Sequence, residues 1–178
     1  LLRPGFVRLS LKLGAARQMP AWAKLQFTNH GVTEADLDDV LGRVDGLESW
    51  ANEWEAMGRA FEKRGGDAMA IGRWRESAHH FLTASACYNF AQYVVFLDPA
   101  HKRALHDGCV RAYAMAAPHF DVPATPIEVP FRRYLIRGYL RVPPGDGPRP
   151  VVVIFNGTNA VKEELHWWSD AYLARGIA

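Results

Sequence analysis

Up to about residue 117 the apolar positions recur every three or four residues, and beyond it every two, so the chain reads as helices followed by strands. Residues 1–30 are mixed: Pro4, Gly5, Gly14 and Pro20 interrupt them, and short helical pieces are expected. Thr33 stands where an N-cap belongs, with Asp36 in the first turn. Val32, Leu37, Val40, Leu41 and Val44 form the apolar face of that helix, and Gly46 is expected to end it. From Leu47 onward, Trp50, Trp54, Met57 and Phe61 make one stripe of a long helix. Gly65-Gly66 weakens it locally, Ala68, Met69 and Ile71 continue it, and Gly72 is the expected stop. A third helix is expected from about residue 74 to 96. Its small and aromatic residues lie on more than one face, which predicts burial on several sides. Asp98-Pro99 supplies an N-cap and a first-turn proline for a fourth helix that reaches about Ala117.

At Pro118 the texture changes. Pro123, Pro126 and Pro130 mark a linker. Ile127, Val129 and Phe131 then alternate, as do Tyr134, Ile136, Gly138, Leu140 and Val142, the period of strands. Residues 143–147 are turn-rich. The β-branched run at 150–155 reads as a strand buried on both faces, the kind a parallel sheet requires. A polar turn, Asn156-Gly157-Thr158-Asn159, follows. A helix is then expected from Val161 to Ala174, with Val161, Leu165, Trp168, Ala171 and Tyr172 as its apolar stripe and Gly176 as its C-cap. No internal repeat of fixed period stands out.

A doubly buried strand needs strands beside it and helices on both sides. Only one helix follows it here, and Ile177-Ala178 reads as the start of the next parallel strand. The sheet is therefore expected to be completed by further sequence or by a second polypeptide, and residues 1–178 alone to be aggregated or molten.

Composition narrows the classes. Of the 178 residues, 49% are apolar and 22% charged, as in globular soluble chains. A net charge of +2 without a basic cluster gives no footprint for nucleic acid. No apolar run is long enough to span a bilayer, and residues 1–10, with Arg3, Pro4 and Arg8, do not read as a signal peptide. Cys87 and Cys109 lie inside apolar helical patterns and read as buried free thiols in a reducing compartment, hence the cytoplasm. No Cys/His/carboxylate spacing suits a metal, and adjacent His79-His80 point about 100° apart on a helix. Neither a metal nor a cofactor is expected.

The stretches IEVPF, IRGYLRVPP and PVVVIFNGTNAVKEE, within residues 127–164, resemble the start of the α/β-hydrolase core in the family of 2,6-dihydropseudooxynicotine hydrolase and the fermentation–respiration-switch-like esterases. The buried-helix stretch TASACYNFAQY at 83–93 resembles the helical domain that precedes the core in that family. The resemblance implies an α/β fold: an N-terminal helical cap domain, 1–121, followed by the first strands of an α/β-hydrolase sheet, 122–178, incomplete. Relatives commonly carry Gly-Gly at the turn where this chain has Asn156 first, and often an acidic residue where Asn159 stands.

In such a fold one oxyanion-hole N–H follows the nucleophile of a G-x-S-x-G elbow, and the other comes from the loop after the third strand. That loop is 156–159 here. A turn that leaves a buried strand and opens a helix points free N–H groups outward near a positive dipole end. The resemblance thus assigns the backbone N–H of Thr158 to the oxyanion hole, with Gly157 and Asn156 beside it. Gly157 lets the chain approach substrate without a Cβ. A tight strand–helix turn with no catalytic role would also carry Asn-Gly. Glu163 and Glu164 are explained by the helix dipole alone. No G-x-S-x-G occurs in 1–178, so the triad Ser, Asp and His would lie beyond Ala178, and none of the seven histidines, His166 included, belongs to it. Tyr88, Trp74 and Asn159 are the expected substrate contacts.

The expected activity is that of a serine hydrolase, acting on a carbon–carbon bond beside a carbonyl or on an ester, with residues 1–178 inactive by themselves. The expected partners are a small-molecule substrate, aromatic or polyketide-like, and the remainder of the hydrolase domain; a homodimer is compatible with the sequence, and neither nucleic acid nor membrane is expected. The competing reading is a non-catalytic helical interaction module carrying a scaffold sheet.

Overall fold

A computed structural model describes residues 9, 12, 14, 16, 18–157 and 160–178. Its helices are α1 (Ala21–Thr28), α2 (Glu34–Arg43), α3 (Leu47–Ala70), α4 (Trp74–Gln92) and α5 (Pro99–Ala116), followed by a 3₁₀ turn at Ala117–His119. Strands β1 (Thr125–Phe131) and β2 (Tyr134–Leu140) come next, then a second 3₁₀ turn, Lys162–Leu165, and α6 (His166–Leu173). No described helix is long and apolar enough to cross a membrane.

The caps behave as their side chains dictate. Thr33 Oγ1 accepts the Asp36 N–H at 3.1 Å, and Asp98 Oδ1 accepts the His101 N–H at 2.9 Å. Gly46, expected to end α2, instead opens α3. Its backbone is fully extended, and Ser49 Oγ accepts the N–H groups of Asp45 and Gly46 at 3.0 and 2.9 Å, which turns the chain into the next helix. α3 runs unbroken through Gly65-Gly66 and stops before Gly72, whose φ of +74° is the left-handed conformation glycine tolerates.

α4 lies between α3 and α5, with residues buried on nearly every side. The core is aromatic at one end: Phe27 stacks on Trp54 at 5.2 Å, Phe90 meets Trp54 edge-on at 5.1 Å, and Trp50 Nε1 donates to the Phe90 carbonyl at 2.9 Å. Small residues let the helices close up elsewhere. The Tyr88 ring is gripped between Gly58 of α3 and Gly108 of α5, where an added Cβ would come within 3.1 and 3.2 Å of it. Ser77 and Ser85 hydroxyls donate to the carbonyls of Gly65 and Cys109 on the flanking helices, at 2.8 and 2.9 Å.

β1 and β2 pair antiparallel from Thr125↔Leu140 to Phe131↔Tyr134. The hairpin meets the helices near its open end, through Ala124, Tyr139 and Arg141, and Val129, Leu135 and Ile136 are exposed. The run at 150–155 differs from expectation: it is extended but not buried, with Val153 69% and Phe155 81% exposed. Its backbone partner among the described residues is Ala178.

The last helix also departs from expectation. A 3₁₀ turn precedes α6 instead of one continuous helix, and at three residues per turn it stacks Glu163 over His166. Those two polar residues are buried, Trp167 packs against the cluster of Ala78, Phe81 and Tyr113, and Trp168, from the expected apolar stripe, is 64% exposed.

Candidate functional site

The site segment begins where the extended run ends. Asn156 is half-buried, and its Nδ2 donates to the Val161 carbonyl at 2.5 Å, across the loop. Gly157 is exposed and its carbonyl accepts the Ala160 N–H at 3.4 Å. Thr158 and Asn159 lie outside the described residues.

Beyond the loop, the two glutamates expected to serve only a helix dipole turn toward the helices. Glu164 Oε2 accepts from Asn89 Nδ2 and Oε1 from the Tyr93 hydroxyl, both at 3.0 Å. Asn89 and Tyr93 are one turn apart on α4, and Asn89 Oδ1 in turn accepts from Gln92 Nε2 at 3.0 Å. Burial first, then the neighbouring Glu164 carboxylate, pushes the Tyr93 hydroxyl pKa up, so it remains a donor. The Glu163 side chain is 2% exposed; Oε1 accepts from Lys162 Nζ at 2.5 Å and from the Tyr139 hydroxyl at 3.4 Å. Its Oε2 has no hydrogen-bond partner, and His30 Nε2 lies 3.9 Å from Glu164 Oε1. Both residues line a small cavity of about 10 Å³, together with Ser85, Cys109, Glu164 and Trp167.

A second polar cluster sits on the other side of α6. Arg141 is buried at the end of the hairpin and donates to the Val122 and His166 carbonyls, to Ser169 Oγ and to Asp170 Oδ1, at 3.1, 3.3, 2.7 and 2.6 Å. His166 Nδ1 pairs with the Tyr113 hydroxyl at 3.0 Å. Burial, and then the charge on Arg141, bring the His166 pKa down to about 3, so its ring is neutral at ordinary pH. Arg75, His79, His119, Arg141, His166 and Asp170 border an open cleft of about 290 Å³ there.

The expected substrate contacts are dispersed. Tyr88 is buried between α3 and α5, and its hydroxyl donates to Glu62 Oε2 at 2.6 Å. Trp74 is half-exposed and stacks on His119 at 5.0 Å. Among the described residues no serine hydroxyl bonds a histidine ring, and no three His, Cys, Asp or Glu side chains converge as a metal-binding set. Sequence reasoning missed the Asn89–Tyr93–Glu164 cluster. The available signal was polar Asn89 and Gln92 inside a helix otherwise apolar on most sides.

A family model described as esterase FrsA-like matches residues 16–178. The 2,6-dihydropseudooxynicotine hydrolase of Paenarthrobacter nicotinovorans is 26% identical over 161 residues, which cover 90% of this chain and 42% of that protein. Esterase FrsA of Escherichia coli (strain K12) is 29% identical over 161 residues, 88% of this chain and 37% of that protein. Esterase FrsA of Vibrio vulnificus (strain YJ016) is 28% identical over 145 residues, 80% of this chain and 33% of that protein. The crystal structure of the 2,6-dihydroxy-pseudo-oxynicotine hydrolase superposes with a TM-score of 0.76, at 24% identity, over 85% of this chain and 42% of that one; it shares the fold. The chain therefore spans between a third and about two fifths of the length of these relatives.

Proposed function

The chain belongs to the FrsA-like esterase family, and on that premise we propose that residues 1–178 form the helical cap, 1–121, and the leading part of the core, 122–178, of a serine hydrolase. The reaction is cleavage of an ester or of a carbon–carbon bond beside a carbonyl. A serine Oγ gives its proton to the triad histidine and attacks the carbonyl carbon, and the C=O electron pair moves onto oxygen. Collapse expels the alkoxide or carbanion, which takes a proton from the triad histidine, and water then releases the acyl group. Ser, Asp and His come from outside residues 1–178, in which no G-x-S-x-G occurs, so these residues alone do not catalyse.

The observation that carries the reading is the pair of bonds that follows the 150–155 run, Ala160 N–H on the Gly157 carbonyl and Asn156 Nδ2 on the Val161 carbonyl, which tie these residues together while Gly157 stays exposed. In this role the Thr158 N–H donates to the developing oxyanion, Gly157 permits close approach, and Asn159 stands beside the substrate. An aromatic or polyketide-like substrate fits the half-exposed Trp74, stacked on a histidine at the rim of the larger cleft.

A fluorophosphonate probe on the full chain tests the class. One labelled serine, whose replacement by Ala abolishes hydrolysis of p-nitrophenyl butyrate or of a β-diketone, is the expected result. No labelled serine and no loss on replacement would overturn it.

A further inference from the structure

We propose that Glu164 is a positioning residue that ties Val161, and through it Asn156, to helix α4; this rests on the oxyanion-hole role proposed for the residues that follow Asn156.

The lock follows from chain geometry. Asn156 Nδ2 holds the Val161 carbonyl, so the loop is pinned at its base, and Glu164 lies three residues further on in a 3₁₀ turn. Any movement of Glu164 is therefore passed to Val161 and, through that bond, to Asn156. Glu164 itself has little freedom: each carboxylate oxygen accepts from a different residue of α4, Asn89 and Tyr93, and its side chain is 16% exposed. Two charge-assisted bonds to residues one turn apart fix both the position and the plane of the carboxylate. α4 is the central helix, packed against α3 and α5, so the tie is to a helix buried on nearly every side.

The test uses the full chain, with p-nitrophenyl butyrate as substrate. In Glu164→Ala, amide exchange in peptides covering 153–165 should speed up about tenfold while α3 and α5 peptides stay unchanged. The same variant should lose about ten- to hundredfold in kcat with KM nearly constant, and Glu164→Gln, which keeps an acceptor for Tyr93, should recover most of both. Should Glu164→Ala fail to fold, Tyr93→Phe removes one donor, keeps the ring and carries the same comparison. Faster loop exchange with unchanged kcat would support the lock and overturn the oxyanion role. Unchanged loop exchange would overturn the lock, whatever happens to kcat.

Discussion

Val151 and Ala178 stand as a parallel pair. The Ala178 N–H donates to the Pro150 carbonyl at 3.0 Å, and the Val152 N–H donates to the Ala178 carbonyl at 2.8 Å. Two bonds that bracket one residue in this order are the repeat of a parallel ladder. Between the two residues lie the 156–161 loop, the 3₁₀ turn and α6, so the pair closes a strand–helix–strand crossover. This register predicts that the Val152 and Ala178 amides exchange more slowly than that of exposed Val153, by about tenfold or more, in NMR hydrogen exchange on the full chain. Equal rates for all three would show that the pairing does not persist in solution.

Gly65 and Gly66 are adjacent in α3 but should respond oppositely to alanine. A Cβ on Gly65 would come within 2.9 Å of the buried Phe81 ring, whereas one on Gly66 would meet nothing within 4 Å. Gly66→Ala should stabilise the protein by about 0.5–1 kcal/mol through helix propensity. In Gly65→Ala that gain is outweighed by overpacking of about 1–3 kcal/mol, for a net loss. Urea melts of the two variants decide it; two shifts of the same sign would contradict the packing described.

His166 predicts an acid-sensitive fold. Its pKa is about 3 in the folded protein and near 6.5 when unfolded, so between those values the unfolded chain binds the extra proton. Its contribution is fully present above about pH 6.5 and is lost progressively as the pH falls toward 3. Tyr113 and Phe120 from the helical side, Arg141 from the hairpin and Asp170 from its own helix surround the ring. Denaturant melts should show a loss on the order of 3 kcal/mol between pH 7 and pH 4 that is absent in His166→Gln. The same slope in the variant would assign the acid sensitivity to other groups.

The two cysteines should be silent in the native state. Burial pushes Cys109 up to about 12 and raises Cys87 as well, so neither forms a thiolate at neutral pH. Ellman's reagent should react with native protein at less than about a hundredth of its rate with the urea-unfolded chain. Fast native labelling would mean that α4 and α5 separate readily.

Much of the helical part was legible from periodicity and caps, because helix rules are local: Thr33, Asp98 and Gly72 act within one turn of themselves. The alternation at 125–140 was legible for the same reason. Burial of the strands was not, because a β-branched run states only what it would bury, and the cover must come from elsewhere. The 3₁₀ turn was not legible either, since one residue of phase separates it from an α-helix, and that phase decides whether Trp168 or His166 faces inward.

The sequence by itself determined where helices and strands form and which loop follows the apolar run. Only the tertiary structure decided that Glu163 and Glu164 face α4 and that His166 is neutral. Asn89 and Glu164 are 75 positions apart, and no local rule reaches across that distance. They meet because α4 is packed on both sides, and a buried carboxylate must find donors there or remain unsatisfied.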